Sequence, residues 1–362
     1  MFEDKLLSNP DKKVFRDFLD KVTVEKFKDA LDVTEEEVLT DLLFCDFQRS
    51  DEYDAYGELV REAPFVYEAC PSVEAVRKIA NERMAKYNEA FPSKKMGLVI
   101  FDDALRHMLR ICRIINSKRG SALLVGVGGS GKQSLTRLSS FICKQKFFQI
   151  ALTKSYSETN LKDNIKELYA DAGPKGQSIT FILTDAEIKS ENFLEYINSF
   201  LSTGEIAGLI AKDEKDVFAL EAKTLYMKEQ GKKGEDPQTR ELWLYVINRI
   251  RDCLHVLLSF SPVGATFAER ARKFPALFSA CTIDWFLPWP EEALVSVSHS
   301  FISKEFIDYG KDEKIKSELE VHMGRVHDMV TDVCKVYFER MRRHVYVTPK
   351  SYLSFIDLYL SV

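Results

Sequence analysis

The chain has 362 residues, more than one average unit of roughly 150 residues holds, so two or three units are expected. Its 45% hydrophobic and 30% charged residues, with 11 prolines and 16 glycines, exclude disorder, collagen and low complexity as descriptions of the whole. The balance of 51 basic against 56 acidic residues gives a net charge of −5, which argues against a dedicated nucleic-acid binder.

Along residues 1–62, Val14, Phe15, Phe18, Leu19 and Val22 recur at three- and four-residue steps behind Pro10 and Asp11. A second stripe covers Val38, Leu39, Leu42 and Leu43, and no glycine comes before Gly57. This spacing predicts a helical segment without strands. A further helix is expected after Pro71 and Ser72, with Val73, Val76, Ile79 and Ala80 on one face and Pro92 as its stop. The apolar segment MGLVIF (96–101) then leads into an amphipathic helix over 102–115, with Leu105, Met108, Leu109 and Ile115 on one side.

From residue 121 the pattern changes. Apolar runs at 122–125, 147–152, 179–183 and 255–260 read as strands, and 132–143 reads as a helix. Strands spaced by helices predict βαβ units, and hence a parallel sheet covered on both faces. Residues 231–237 form a polar loop by composition. Pro288-Trp289-Pro290 marks a boundary, and 291–362 carries helical periodicity. Three divisions follow: a helical segment (1–62), a large α/β unit (63–290) and a small helical lid (291–362).

The seven cysteines are odd in number, scattered and free of any CxxC, which argues for a reducing compartment and against a disulfide framework or zinc site. His322 and His327 are five apart and would share a helix face poorly, so no metal spacing is seen. No apolar run reaches the roughly 18 residues of a membrane span, and the N-terminus lacks a signal-peptide pattern. These readings suggest a cytosolic globular protein.

One motif carries chemistry. Gly126-Val127-Gly128-Gly129-Ser130-Gly131-Lys132-Gln133 lies between a strand and a helix and fits G-x-x-x-x-G-K, the phosphate-binding loop. Glycines let backbone N–H groups turn inward as an anion nest. The next helix aims its positive end at the phosphates, and Lys132 can reach the β- and γ-phosphates. The full pattern ends in Ser or Thr, the group that holds Mg²⁺. Gln133 stands there instead, and Ser134 is one place late. A metal would therefore be weakly held.

An acidic strand end should stand beside the loop, and ITFILTD (179–185) supplies Asp185. A strongly hydrolytic site would show Asp-Glu; Glu187 is two residues on and need not point the same way. Asp185 either serves that site or caps the next helix.

At this point the chain resembles a known family. SALLVGVGGSGKQSLTRLSSFI (121–142) is similar to the fourth AAA+ module of an axonemal-type dynein heavy chain. The stretches 96–120, 155–169, 193–216, 261–290 and 344–359 are similar to other parts of that module, so the resemblance covers about residues 60–362. Residues 1–62 look like the end of the preceding module's lid.

The resemblance implies a P-loop AAA+ fold binding ATP or ADP, with Gly126 to Ser134 at the phosphates. It implies that Leu98, Val99 and Ile100 pack the adenine, although a plain core strand would read alike. Ser261 falls where many such modules keep a γ-phosphate-sensing Asn. Arg270 and Arg272 fall where an arginine is offered to a neighbouring module, and the sequence does not choose between them or exclude a solvated basic face. Trp285 and Trp289 read as packing at the joint of the two subdomains, or as an edge of the nucleotide site.

The expected role is regulatory, with slow or absent hydrolysis, beside neighbouring modules of the same heavy chain in a ciliary or flagellar axoneme. Microtubule contact would run only through a stalk that this stretch lacks, and neither nucleic acid nor membrane is expected as a partner. An independently active ATPase and a structural module with an empty loop are the alternatives.

Overall fold

The computed structural model describes residues 6, 8–27, 43–54, 56, 58–230, 237–303 and 313–361. The first predicted stripe lies on α1 (Asn9–Phe27), where Val14, Phe18 and Leu19 are exposed. Val38, Leu39 and Leu42 of the second stripe lie outside the described residues.

The expectation of a strand-free N-terminal segment is corrected. β1 (Phe44–Cys45) pairs antiparallel with β4 (Glu68–Ala69), and β2 (Glu52–Tyr53) with β3 (Leu59–Arg61). The reason is local side-chain chemistry that competes with the helix. Asp51 accepts from the Ala63 amide at 2.8 Å, and Asp54 accepts from the amides of Tyr56 and Glu58 at 2.9 and 2.8 Å. Gln48 donates to the carbonyls of Glu68 and Ala69 at 3.1 Å each, while Cys45 and Phe47 enter the core.

The two expected helices follow as α2 (Val73–Ala90), capped by the Ser72 hydroxyl, and α3 (Asp102–Asn116). Then β5 (Ala122–Gly126), α4 (Lys132–Ile142), β6 (Lys146–Gln149), α5 (Glu158–Ala172) and β7 (Ile179–Thr184) alternate. The helices α6 (Asn192–Thr203), α7 (Lys212–Gln230) and α8 (Thr239–Cys253) lead to β8 (Leu254–Phe260). Two short helices, α9 (Thr266–Lys273) and α10 (Ala276–Ser279), precede β9 (Thr282–Phe286), a strand the apolar pattern did not predict.

The five long-range strands form one parallel sheet in the order β6-β7-β8-β5-β9. Strand side chains alternate between faces, so a strand apolar at every position needs cover on both. Leu123, Val125, Phe181, Val256 and Leu258 pack on one face against α5, α6 and α8. Ala122, Leu124, Ile182 and Leu257 pack on the other against α2, α3 and α4. Every residue of β5, β7 and β8 is buried.

After Pro290 come α11 (Glu291–Ile302), α12 (Glu313–Met341) and α13 (Pro349–Ser361). Leu294, Val297, Ile302, Met323, Tyr352 and Ile356 form their separate core. Tyr352 donates to the Leu294 carbonyl at 2.9 Å and ties α13 to α11. Phe101 and Trp289 meet edge-on at 5.2 Å, joining this helical layer to the sheet unit.

Candidate functional site

The loop after β5 leaves the carboxyl edge of the sheet where the strand order reverses, since the chain runs on to β6 at the far edge while β8 and β9 return to flank β5. Such a reversal opens a crevice between neighbouring loops. Gly129 and Gly131 adopt φ of 83° and 88°, the left-handed backbone that favours glycine. Gly131 caps α4 without a side chain, so the first amides of that helix face outward unclaimed by a capping group.

Lys132 is buried and folds back on its own loop. Its Nζ donates to the carbonyls of Gly126 and Val127 at 2.8 Å each and to the Ser130 hydroxyl at 3.0 Å. Burial pushes the ammonium down to about 8, against the opposing pull of the Asp185 charge.

Two adjoining cavities meet here. One, of about 410 Å³, is lined by Gly126, Gly128 to Ser134, Asp185 and Ser261. The other, of about 210 Å³, reaches Leu98, Val99, Trp285, Trp289 and the lid residues Val297, Phe301 and Leu353. Leu98, Gly129, Ser130, Gly131 and Leu353 belong to both. Of the three predicted base-packing residues, Ile100 instead turns into the core beneath α3. The two tryptophans both pack and face the cavity.

The cavity under the lid also holds His107, Arg110 and Phe286, which the sequence did not single out. His107 stacks on Phe286 at 3.8 Å with ring planes 9° apart. Its Nδ1 lies 2.7 Å from Asp284, which is buried inside β9 and also accepts from Arg110 at 3.0 Å. An acid within an otherwise sheet-like run was the available signal, because buried charges are paired.

The acidic strand end is fully engaged. Asp185 Oδ1 accepts from Arg270 at 2.5 Å and Oδ2 from the Ser261 amide at 2.6 Å. The capping role falls to Thr184 instead, whose side chain serves the short turn Asp185–Glu187. Glu187 is buried, accepting from the Thr184 amide at 2.7 Å and from Gln149 at 2.8 Å. Gln133 lies 3.4 Å from the same Gln149 amide. Of the two arginines weighed in the sequence, Arg270 is buried against Asp185 of its own chain, while Arg272 is exposed.

The oxygens that could hold Mg²⁺ do not fit a metal in this arrangement. Asp185 is neutralised by Arg270, Glu187 is turned into its own hydrogen bonds, and Gln133 is drawn toward Gln149. Ser134 keeps a hydroxyl on the cavity, a weak ligand by itself. Among the described residues no group of three His, Cys, Asp or Glu side chains could hold a metal ion.

A glycine loop after β5 of a parallel sheet, an acid at the end of β7 one strand beyond β8, and a helical layer closing the crevice define a P-loop α/β module of the AAA+ kind. Residues 96–362 match the family described as P-loop containing dynein motor region D4. The chain belongs to this dynein motor family, as an AAA+ module of the axonemal heavy-chain type.

It is 48% identical over 323 residues to dynein axonemal heavy chain 5 of Mus musculus, covering 88% of this chain and 7% of that protein. It is 46% identical over 330 residues to dynein axonemal heavy chain 8 of Homo sapiens, covering 90% and 7%. It is 44% identical over 363 aligned positions to the dynein gamma chain of the flagellar outer arm of Chlamydomonas reinhardtii, covering 99% and 8%. The chain therefore spans less than a tenth of the length of these relatives. No helix among the described residues is long and apolar enough to cross a membrane.

Proposed function

We propose that this module binds ATP or ADP and regulates rather than drives the motor, with weak or absent hydrolysis. One observation carries the reading: a single crevice runs from the uncapped N-terminus of α4 and Lys132 to an apolar, aromatic recess closed by the lid. Such a site pairs an anion nest with a pocket for a flat ring. Phosphate oxygens would replace the loop's own carbonyls as acceptors for Lys132. Leu98, Val99, Trp285 and Phe286 would enclose the base.

Weak hydrolysis is supported by the acids. The carboxylate that would assist metal binding is paired, and the one that would activate water is buried in hydrogen bonds. The lid contributes Leu353 to both cavities, so the bound nucleotide would bias how the lid sits on the sheet unit.

In a full heavy chain, the neighbours of this module would be further AAA+ modules of a ring. Exposed Arg272 is the arginine we assign to a neighbour's nucleotide. The setting is ATP-driven, microtubule-based movement in the axoneme of a cilium or flagellum, with microtubule contact made by other parts of the heavy chain.

Titration calorimetry of the chain with ATP and ADP tests the binding. Saturable heat lost in Lys132→Ala supports it, and absence of heat for both nucleotides overturns it. Ligand at about 100 times Kd should raise stability by roughly 2.7 kcal/mol.

A further inference from the structure

The strongest charge contact of the site lies between the two residues the sequence kept apart in role. Arg270 NH1 meets Asp185 Oδ1 at 2.5 Å, its Nε meets Glu191 at 3.4 Å, and its guanidinium lies 5.1 Å from the centre of the Phe260 ring. Only 10% of its side chain is exposed, whereas 39% of the Asp185 side chain is. A buried arginine held by two acids and an aromatic face is fixed, because it cannot lose its proton and would leave both carboxylates unmatched if it left.

This arrangement rests on the nucleotide reading above and sharpens it. A divalent cation approaching Asp185 from the cavity would meet a carboxylate already engaged on both oxygens, by Arg270 on Oδ1 and by the Ser261 amide on Oδ2. A divalent cation needs oxygen donors of net negative charge; Glu187 and Gln133 are drawn to Gln149, and Ser134 offers only a neutral hydroxyl.

We infer that Arg270 is the resident counter-cation of this site, and that the pocket takes the metal-free nucleoside di- or triphosphate rather than its Mg²⁺ chelate. Lys132 and the helix amides meet the phosphates directly, and Arg270 supplies at Asp185 the positive charge that a metal supplies elsewhere. Arg270 is then a positioning residue of its own module, and contact with a neighbour's nucleotide falls to Arg272.

The test is calorimetric titration of ADP into the wild-type chain in excess EDTA and again in excess Mg²⁺. The inference predicts binding in EDTA at least as tight as in Mg²⁺. A tenfold or greater loss of affinity in EDTA would overturn it while leaving the nucleotide reading intact. No binding in either condition would overturn both. Arg270→Gln, checked for folding by its thermal transition, should reverse the preference, binding at least tenfold tighter with Mg²⁺ than in EDTA. A preference unchanged in that variant also overturns the inference. Electron paramagnetic resonance with Mn²⁺ and ADP gives a readout independent of affinity. The wild type should leave the Mn²⁺ signal that of the free chelate, and Arg270→Gln should immobilise it; immobilised Mn²⁺ on the wild type contradicts the proposal.

Discussion

Gln149 donates its side-chain amide to the carboxylate of Glu187 at 2.8 Å, across from β6 to the turn after β7. The same Gln149 accepts from Arg137 at 3.0 Å, so its amide is held from both ends. Glu187 is thereby kept as a structural acid. Replacing Gln149 with Leu removes a donor from a buried carboxylate, a change that costs about 1–3 kcal/mol. Urea unfolding of Gln149→Leu should show that loss at unchanged m-value; an unaltered midpoint would mean Glu187 does not depend on this bond.

Lys132 gives the site a pH dependence of two opposite signs. Its folded-state pKa, about 8, lies below the ordinary ammonium value of 10.5, so between these values the unfolded chain binds more protons and stability rises with pH. Phosphate binding needs the ammonium, so nucleotide affinity should fall about tenfold per pH unit above about 8. Titrations from pH 7 to 9.5 should show that fall in the wild type. A flat wild-type profile would contradict the buried-ammonium account.

The loop glycines should respond unequally to alanine. A Cβ on Gly131 would meet its nearest atom at 3.8 Å, so Gly131→Ala carries mainly the left-handed backbone cost of about 1–2 kcal/mol. On Gly129 it would stand 2.6 Å from the Lys350 Cβ and 2.7 Å from the Lys350 backbone nitrogen, in the lid. Gly129→Ala should therefore lower the thermal midpoint further than Gly131→Ala. Equal midpoints would argue against the close seating of the lid on the loop.

Asp284 is 1% exposed on its side chain and serves His107 and Arg110 together. Asp284→Asn keeps the shape but removes the charge that both partners face, at an expected cost of about 2 kcal/mol. Chemical denaturation checks it, with Asp332→Asn, 73% exposed on its side chain, as the comparison expected to stay within about 0.5 kcal/mol.

The sheet was legible where its physics left a mark on the sequence. Ala122 to Val125 and Ile179 to Leu183 are covered on both faces, so they read as apolar runs, broken only by Thr180. β9 left no such mark, since Thr282 and Asp284 interrupt it and its place depends on pairing with β5. The two-residue strands around Cys45 and Ala69 are held by aspartate and glutamine contacts that carry no period. The glycine loop and Asp185 were readable as a site because backbone freedom and charge are local properties. The partnership of Asp185 with Arg270 spans 85 positions and that of His107 with Asp284 spans 177, so only the folded chain joins them.

The central expectation is a nucleotide held at the Lys132 loop and hydrolysed slowly or not at all. Its most direct measurement is to load the chain with labelled ATP, isolate the complex by gel filtration, and resolve the bound nucleotide after prolonged incubation. Label should be retained by the wild type and recovered mainly as ATP, with retention lost in Lys132→Ala. Label converted to ADP by the wild type but not by Lys132→Ala, or no label retained at all, would contradict it.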